Sequence, residues 1–294
     1  MTRVVWFQDY NPLSFGGGAQ LTDRAYITEG LKQAYDIIIL TPELQNQIIL
    51  TKDDFLVYSN TAMFDPAKLA AAPNKYAVFH HDWVQSRCKW RLYFPMSEKC
   101  MADCPHAPIW KPVLEKAVLN IFLSPLHYRL VKEYFGDSVG PYVLAPSVVN
   151  PDHFFDHKKP GRKGTCSLNG LITFKGRAQQ LEYAKQHSDE SITFGGDNDR
   201  PQEPLPPNCK FVGPVAAVNL PKFYIEFEWF NELPDTPQPM NRTAIEARLC
   251  GLKVRTNALL GAASWPWFTS GVDVIAQKMR DAPGEFWKGV ESVL

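Results

Sequence analysis

Residues 237–251 read PQPMNRTAIEARLCG, a Pro-punctuated loop, a helix start and a helix end in fifteen positions. Pro237 and Pro239 cannot sit inside a helix, because proline lacks the N–H and its ring clashes with the preceding turn. Asn241 is a favoured N-cap residue, and Ala244, Ile245, Leu249 and Cys250 recur at the spacing of one apolar helix face. The reading is a helix over residues 241–250 that presents Glu246 from its first turns, where the helix dipole favours an anion. A carboxylate in that place can grip the hydroxyls of a ligand. For this segment alone, a surface charge on an amphipathic helix is the stronger reading.

Outward from this stretch, short apolar runs alternate with amphipathic segments, the pattern of an α/β protein with mostly parallel strands. Residues 225–230 and 253–256 read as the strands flanking that helix. In the same half, strands are expected at 165–168, 191–194 and 210–212, with a helix over 177–186. The first half carries strands at 4–8, 36–40, 55–59, 76–80, 120–124 and 142–145, and helices at 19–33, 108–117 and 126–135. Between the halves, residues 150–164 cluster Pro, His, Lys and Gly into a linker, with Lys158, Lys159, Arg162 and Lys163 as its solvated charges. The tail 272–294 reads as helix, interrupted at Pro283-Gly284. Two doubly wound halves predict a ligand at the carboxyl ends of their strands.

Composition narrows the classes further. Of 294 residues, 45% are hydrophobic and 13% aromatic, enough for large buried cores rather than a disordered chain. Lys plus Arg and Asp plus Glu are both 31, so the chain has no overall cationic character and no nucleic-acid partner is expected. No apolar run approaches the roughly 20 residues that span a bilayer, and the N-terminal MTRVVWFQDY has no signal-peptide core. Six Cys without a secretory signal fit reduced thiols and a cytoplasmic location. Peripheral membrane contact stays open, since it needs only a small patch.

Several motifs stand where strands end. Gly16, Gly17 and Gly18 follow the first strand and open the first helix, so their amides can approach an anion. The spacing is neither the dinucleotide fingerprint nor a P-loop, and a flexible turn is the competing reading. His80, His81 and Asp82 close the strand at 76–80; an imidazole there suits proton handling, Asp82 can orient one ring, and strand alternation sends the two rings opposite ways. A hydrogen-bonded structural His is the alternative. Lys175, in NGLITFKGR, can meet a diphosphate as a point charge, and Gly196, in GGD, ends another strand of that half. Cys88, Cys100, Cys104 and His106 comprise a tetrahedral zinc donor set, but their spacings match no standard zinc motif, and reduced or buried thiols are the stronger reading.

Together these segments resemble the GT-B-fold nucleotide-sugar glycosyltransferases, in particular the retaining family-4 members. The likeness runs from Gly16–Gly18 with Gln20, through His80-His81-Asp82, Ser124-Pro125, SVVNPDHF at 147–154 and Lys175-Gly176, to Glu246. The last segment is the most specific, since it resembles the family's two Glu residues separated by seven positions. Some members also carry a Cys-rich insertion ending in Cys-Pro, as Cys104-Pro105 does. The resemblance implies two Rossmann-like doubly wound domains facing a central cleft. The acceptor domain would span 1–156, the donor domain 157–275, and residues 276–294 would form a helix returning to the first domain. It implies a UDP- or GDP-sugar donor, no cofactor and no required metal. Glu246 would bind ribose hydroxyls, Lys175 the diphosphate, and Gly16, Gly17 and Gly18 the diphosphate or sugar. His80 or His81 would contact the donor sugar.

Two departures stand out. The family's first Glu is Gln238, which keeps hydrogen-bonding capacity without charge, and the Arg five residues before the Lys is Gly170, with Arg242 or Arg177 as candidate substitutes. The resulting expectation is transfer of a sugar to an acceptor hydroxyl of a glycan, a lipid-linked saccharide or a protein glycan, with retention. Two alternatives are a catalytically weak nucleotide-sugar-binding scaffold and a GT-B enzyme that glycosylates modified DNA.

Overall fold

A computed structural model of the chain describes residues 2–14, 16–81 and 107–294. The chain divides into two compact units: the described residues up to 148 together with Asp281–Leu294, and Val149–Arg280.

The first unit is built on six strands, β1 (Arg3–Phe7), β2 (Asp36–Leu40), β3 (Phe55–Tyr58), β4 (Tyr76–His80), β5 (Leu119–Phe122) and β6 (Tyr142–Leu144). They pair in parallel in the order β2-β1-β3-β4-β5-β6. Helices α1 (Gly18–Lys32), α2 (Pro66–Ala71), α3 (Ala107–Lys116) and α4 (Pro125–Phe135) make the crossovers. Strands buried on both faces read as continuous apolar runs, which is how RVVWF and YAVFH stand in the chain. Val5, Phe7, Leu56 and Tyr58 face one core with Trp110 of α3. Trp6 and Phe79 point the other way, where Trp6 meets Phe286 at 5.7 Å between ring centroids and Tyr26 of α1 stacks on Phe286 at 4.3 Å.

The second unit has five parallel strands, β7 (Thr165–Ser167), β8 (Ile192–Gly195), β9 (Cys209–Gly213), β10 (Trp229–Glu232) and β11 (Lys253–Thr256), in the order β11-β10-β7-β8-β9. Its helices are α5 (Arg177–Gln186), α6 (Leu220–Tyr224) and α7 (Arg242–Leu249). Helix α8 (Val272–Glu291) begins in this unit and ends in the first. Cys166, Phe230, Ile245, Leu249 and Met279 share its main core.

Two expectations need correction. The strand placed at 225–230 begins only at Trp229, because 220–224 is helix and Phe227 N–H still bonds Tyr224 O at 3.0 Å. Phe223 and Tyr224 serve that helix as core residues rather than a strand, an ambiguity inherent in short apolar runs. The interruption at Pro283-Gly284 is also absent, since α8 runs through both residues. Buried Ile275, Met279, Ala282, Phe286 and Val290 form one helical stripe across it, so tertiary packing outweighs the local cost of proline.

Topology places the sites. Each sheet reverses its winding at one point, between β1 and β3 in the first and between β7 and β10 in the second. Open α/β sheets hold ligands beyond the carboxyl ends of strands at such points.

Candidate functional site

At the switch point of the second sheet, β10 ends on Glu232, which is buried completely. No well-formed hydrogen bond reaches either carboxyl oxygen, and the side chain of Asn241 is the nearest donor. Burial pushes this acid up to about 8, against the opposing pull of Lys175 and Asn241. Lys175 closes the short 3-10 turn Thr173–Lys175. The next residue, Gly176, is left-handed at φ +88°, and a Cβ there would lie 2.1 Å from Leu233 O. Only glycine lets the turn press against the chain leaving β10, and that contact brings Lys175 beside Glu232. Helix α5 starts at once behind Gly176 with no side-chain cap, and its first amide, Arg177 N–H, bonds Ile172 O at 3.3 Å.

Helix α7 supplies the rest. Asn241 caps it by accepting from Thr243 N–H at 3.0 Å, and Thr243 Oγ1 donates to Asn169 Oδ1 at 3.2 Å, which fastens the helix start to the loop after β7. Glu246 is buried: Tyr224 O–H donates to its Oε2 at 3.3 Å and Arg242 Nε lies 3.7 Å from Oε1. Burial raises the Glu246 carboxyl, with Arg242, Tyr224 and His153 pulling it back, and burial lowers the Arg242 guanidinium.

Position 170 explains one departure from the family pattern. Gly170 has φ +68°, and a Cβ there would stand 2.1 Å from Asp197 O. The backbone of the loop after β8 occupies the space where an Arg side chain would begin. Gly196, at φ +97°, completes the same contact, with Leu168 O at 2.8 Å from where its Cβ would be. Of the candidate substitutes, Arg177 is buried and spent on Leu171 O, Asn198 and Glu203, while Arg242 lies beside Glu246. Gln238 is held by its main chain, its N–H bonded to Leu259 O and its carbonyl to Gly261 N–H, both at 2.8 Å, and its Nε2 reaches Thr236 Oγ1 at 3.5 Å.

The first unit has its own constellation at the β1/β3 switch point. Helix α1 follows Gly17, which caps it without a side chain, and a turn further on the helix carries the fully buried Asp23. His81, just past β4, brings Nε2 to 2.9 Å from both Asp23 Oδ1 and Ser59 Oγ. Ser59 O–H donates to Asp23 Oδ2 at 2.6 Å. A carboxylate only accepts, so Nε2 carries a proton. His80 differs. It is buried, stacks on Phe122 at 4.4 Å, bonds Asn120 Oδ1 at 3.1 Å, and burial pushes it down to about 4. Both rings are enclosed, because Asp23 and Ser59 cover the side of the chain that alternation would expose. On the α2 side of the same sheet a cavity of about 360 Å³ is lined by Phe7, Leu40, Tyr58 and Met63 with Gln45, Asp65 and Lys68.

Asp82, Cys88, Cys100, Cys104 and His106 lie outside the described residues. Among the described residues, no three His, Cys, Asp or Glu side chains gather as a metal site, and no helix is long and apolar enough to cross a membrane. Asp23, Ser59 and Glu232 escape a sequence reading. The one available signal was a charged residue on the apolar side of a helix or at a strand end.

No protein-family model matches the chain, and no curated protein sequence does either. Solved structures do. The sucrose-phosphate synthase of Thermosynechococcus elongatus is 12% identical, with 100% of both chains covered and a TM-score of 0.71. Anabaena HepE in complex with UDP and glucose is 12% identical, again with 100% of both chains covered, at 0.63. An alpha-glucosyltransferase in complex with UDP-glucose and DNA containing an abasic site is 10% identical over 98% of this chain and 95% of that one, at 0.56. The fold is GT-B, two parallel α/β units shared with these glycosyltransferases.

Proposed function

We propose that the chain is a glycosyltransferase that moves a sugar from a nucleoside diphosphate to an acceptor hydroxyl, with retention and without a required metal. One observation carries the reading: beyond the β7/β10 switch point, Lys175 and the start of α5 follow β7, and α7, which carries the buried Glu246, follows β10. That is a cation, a set of amides and a carboxylate, the groups that suit a diphosphate and a ribose. HepE, with the same fold, is a structure holding UDP and glucose.

In this reading the second unit binds the donor. Lys175 and the α5 amides offset charge as the diphosphate departs, and Glu246 accepts from ribose hydroxyls. The first unit binds the acceptor, with the mixed polar and apolar cavity on its α2 side receiving the non-sugar part. His81, oriented by Asp23 and Ser59, contacts the transferred sugar near the reacting carbon. The leaving phosphate takes the acceptor proton on the face it vacates, so positioning and electrostatics supply most of the rate.

The test is release of nucleoside diphosphate from UDP- and GDP-sugars by the purified protein. One donor is expected to be consumed, and Lys175→Ala should lower its turnover at least tenfold, the loss of one charged contact worth about 1.5–3 kcal/mol. Binding without turnover would instead favour a scaffold role. A modified-DNA acceptor, suggested by the DNA-bound neighbour, requires salt-dependent DNA binding.

A further inference from the structure

Glu232 is an unusual group to find at the end of a central strand. It is fully buried, Asn241 is the one polar side chain that offers it a hydrogen bond, short of good geometry, and it stands beside the one lysine assigned above to the diphosphate. Such a carboxyl is costly to ionise unless it is paired. The site has no arginine at position 170 to add positive charge, since Asp197 backbone fills that place. Lys175 therefore stands by an internal carboxyl that competes with an external diphosphate for its charge.

We propose that Glu232 is a positioning residue acting through Lys175: as the neutral acid it leaves the ammonium to the donor diphosphate, and as the carboxylate it takes the ammonium for itself. This rests on the reading of Lys175 as a diphosphate ligand. The groups that face Glu232 are Lys175, from the turn ahead of α5, and Asn241, from the cap of α7. Its register neighbour on β11 is Thr256. Among the other charged groups of these elements, Arg255 on β11 engages Glu190, Arg177 on α5 engages Glu203, and Arg242 on α7 lies beside Glu246. Asp235 follows on the same loop, with burial raising its carboxyl. A bound diphosphate places further negative charge by Lys175 and so favours the protonated acid. Above the titration point, one proton moves from solvent to the Glu232 carboxylate as the diphosphate binds.

The experiment titrates UDP and GDP into the intact protein between pH 7 and pH 9. With an acid titrating near 8, the nucleotide that binds should weaken about tenfold over this range. Glu232→Gln, isosteric with the neutral acid, should bind at pH 7 within about threefold of wild type and stay flat to pH 9. Calorimetry of the wild type at pH 8 in two buffers of different ionisation enthalpy should show uptake of about half a proton. That second readout decides the matter even where the variant does not fold. Binding with a flat pH profile and no proton uptake overturns this inference alone. An equal pH slope in Glu232→Gln and wild type also overturns it. Failure of both nucleotides to bind at pH 7 overturns the diphosphate reading itself, and this inference with it.

Discussion

His80 and His81 are neighbours in sequence with separate fates, and the difference lies in what each ring meets. His80 has a neutral amide and an aromatic face, so it is held as an uncharged core side chain. His81 has a carboxylate and a hydroxyl on one nitrogen, an arrangement that fixes the orientation of the ring and puts a proton on that nitrogen. His81→Gln should lower turnover about 10- to 100-fold with little change in Tm. His80→Ala should do the reverse, costing about 2–4 kcal/mol through the lost packing on Phe122 and an unpaired Asn120. Thermal unfolding and initial rates measured on both variants check the pair. The motif His80-His81 was legible in the sequence as a strand end rich in imidazole. Which ring does what was not, because Asp23 and Ser59 come from positions 58 and 22 residues away. Glu232 was hidden for the same reason: a Glu at a strand end reads as the start of a polar loop until burial is known.

At the scale of elements, strands were the most legible parts. YAVFH and DIIIL are apolar runs with strand length, and β4 and β2 occupy them. Short helices were not. PAKLAA and LPKFY are too brief for a periodic signal, and tertiary contacts decide them. Helix α8 shows the same override on a larger element, keeping its stripe through Pro283 where a local reading stops it. Its indole Trp287 donates to Tyr26 O at 2.8 Å and lies over Gly30 of α1. A Cβ on Gly30 would stand 2.2 Å from Trp287 Cζ2 and 2.6 Å from Ile37 Cδ1. Glycine is thus a packing requirement in mid-helix, despite its low helix propensity. Gly30→Ala should destabilise by about 1–3 kcal/mol through overpacking, read as a lower denaturant midpoint with an unchanged slope.

The whole molecule was readable as two doubly wound halves, and with that came the expectation of ligands at the strand ends. Sequence matching finds no family, while the fold matches transferases at 10–12% identity, because hydrophobic periodicity and turn chemistry persist where residue identities do not. We propose that the β7/β10 switch point binds a nucleoside-diphosphate sugar. Thermal unfolding in the presence of UDP, GDP, UDP-glucose and GDP-mannose tests it most directly. A ligand at 100 times its Kd stabilises the native state by about 2.7 kcal/mol, so one of these nucleotides should raise the Tm by several degrees, and Lys175→Ala should abolish most of that rise. An unchanged Tm with all four at millimolar concentration would exclude such a site.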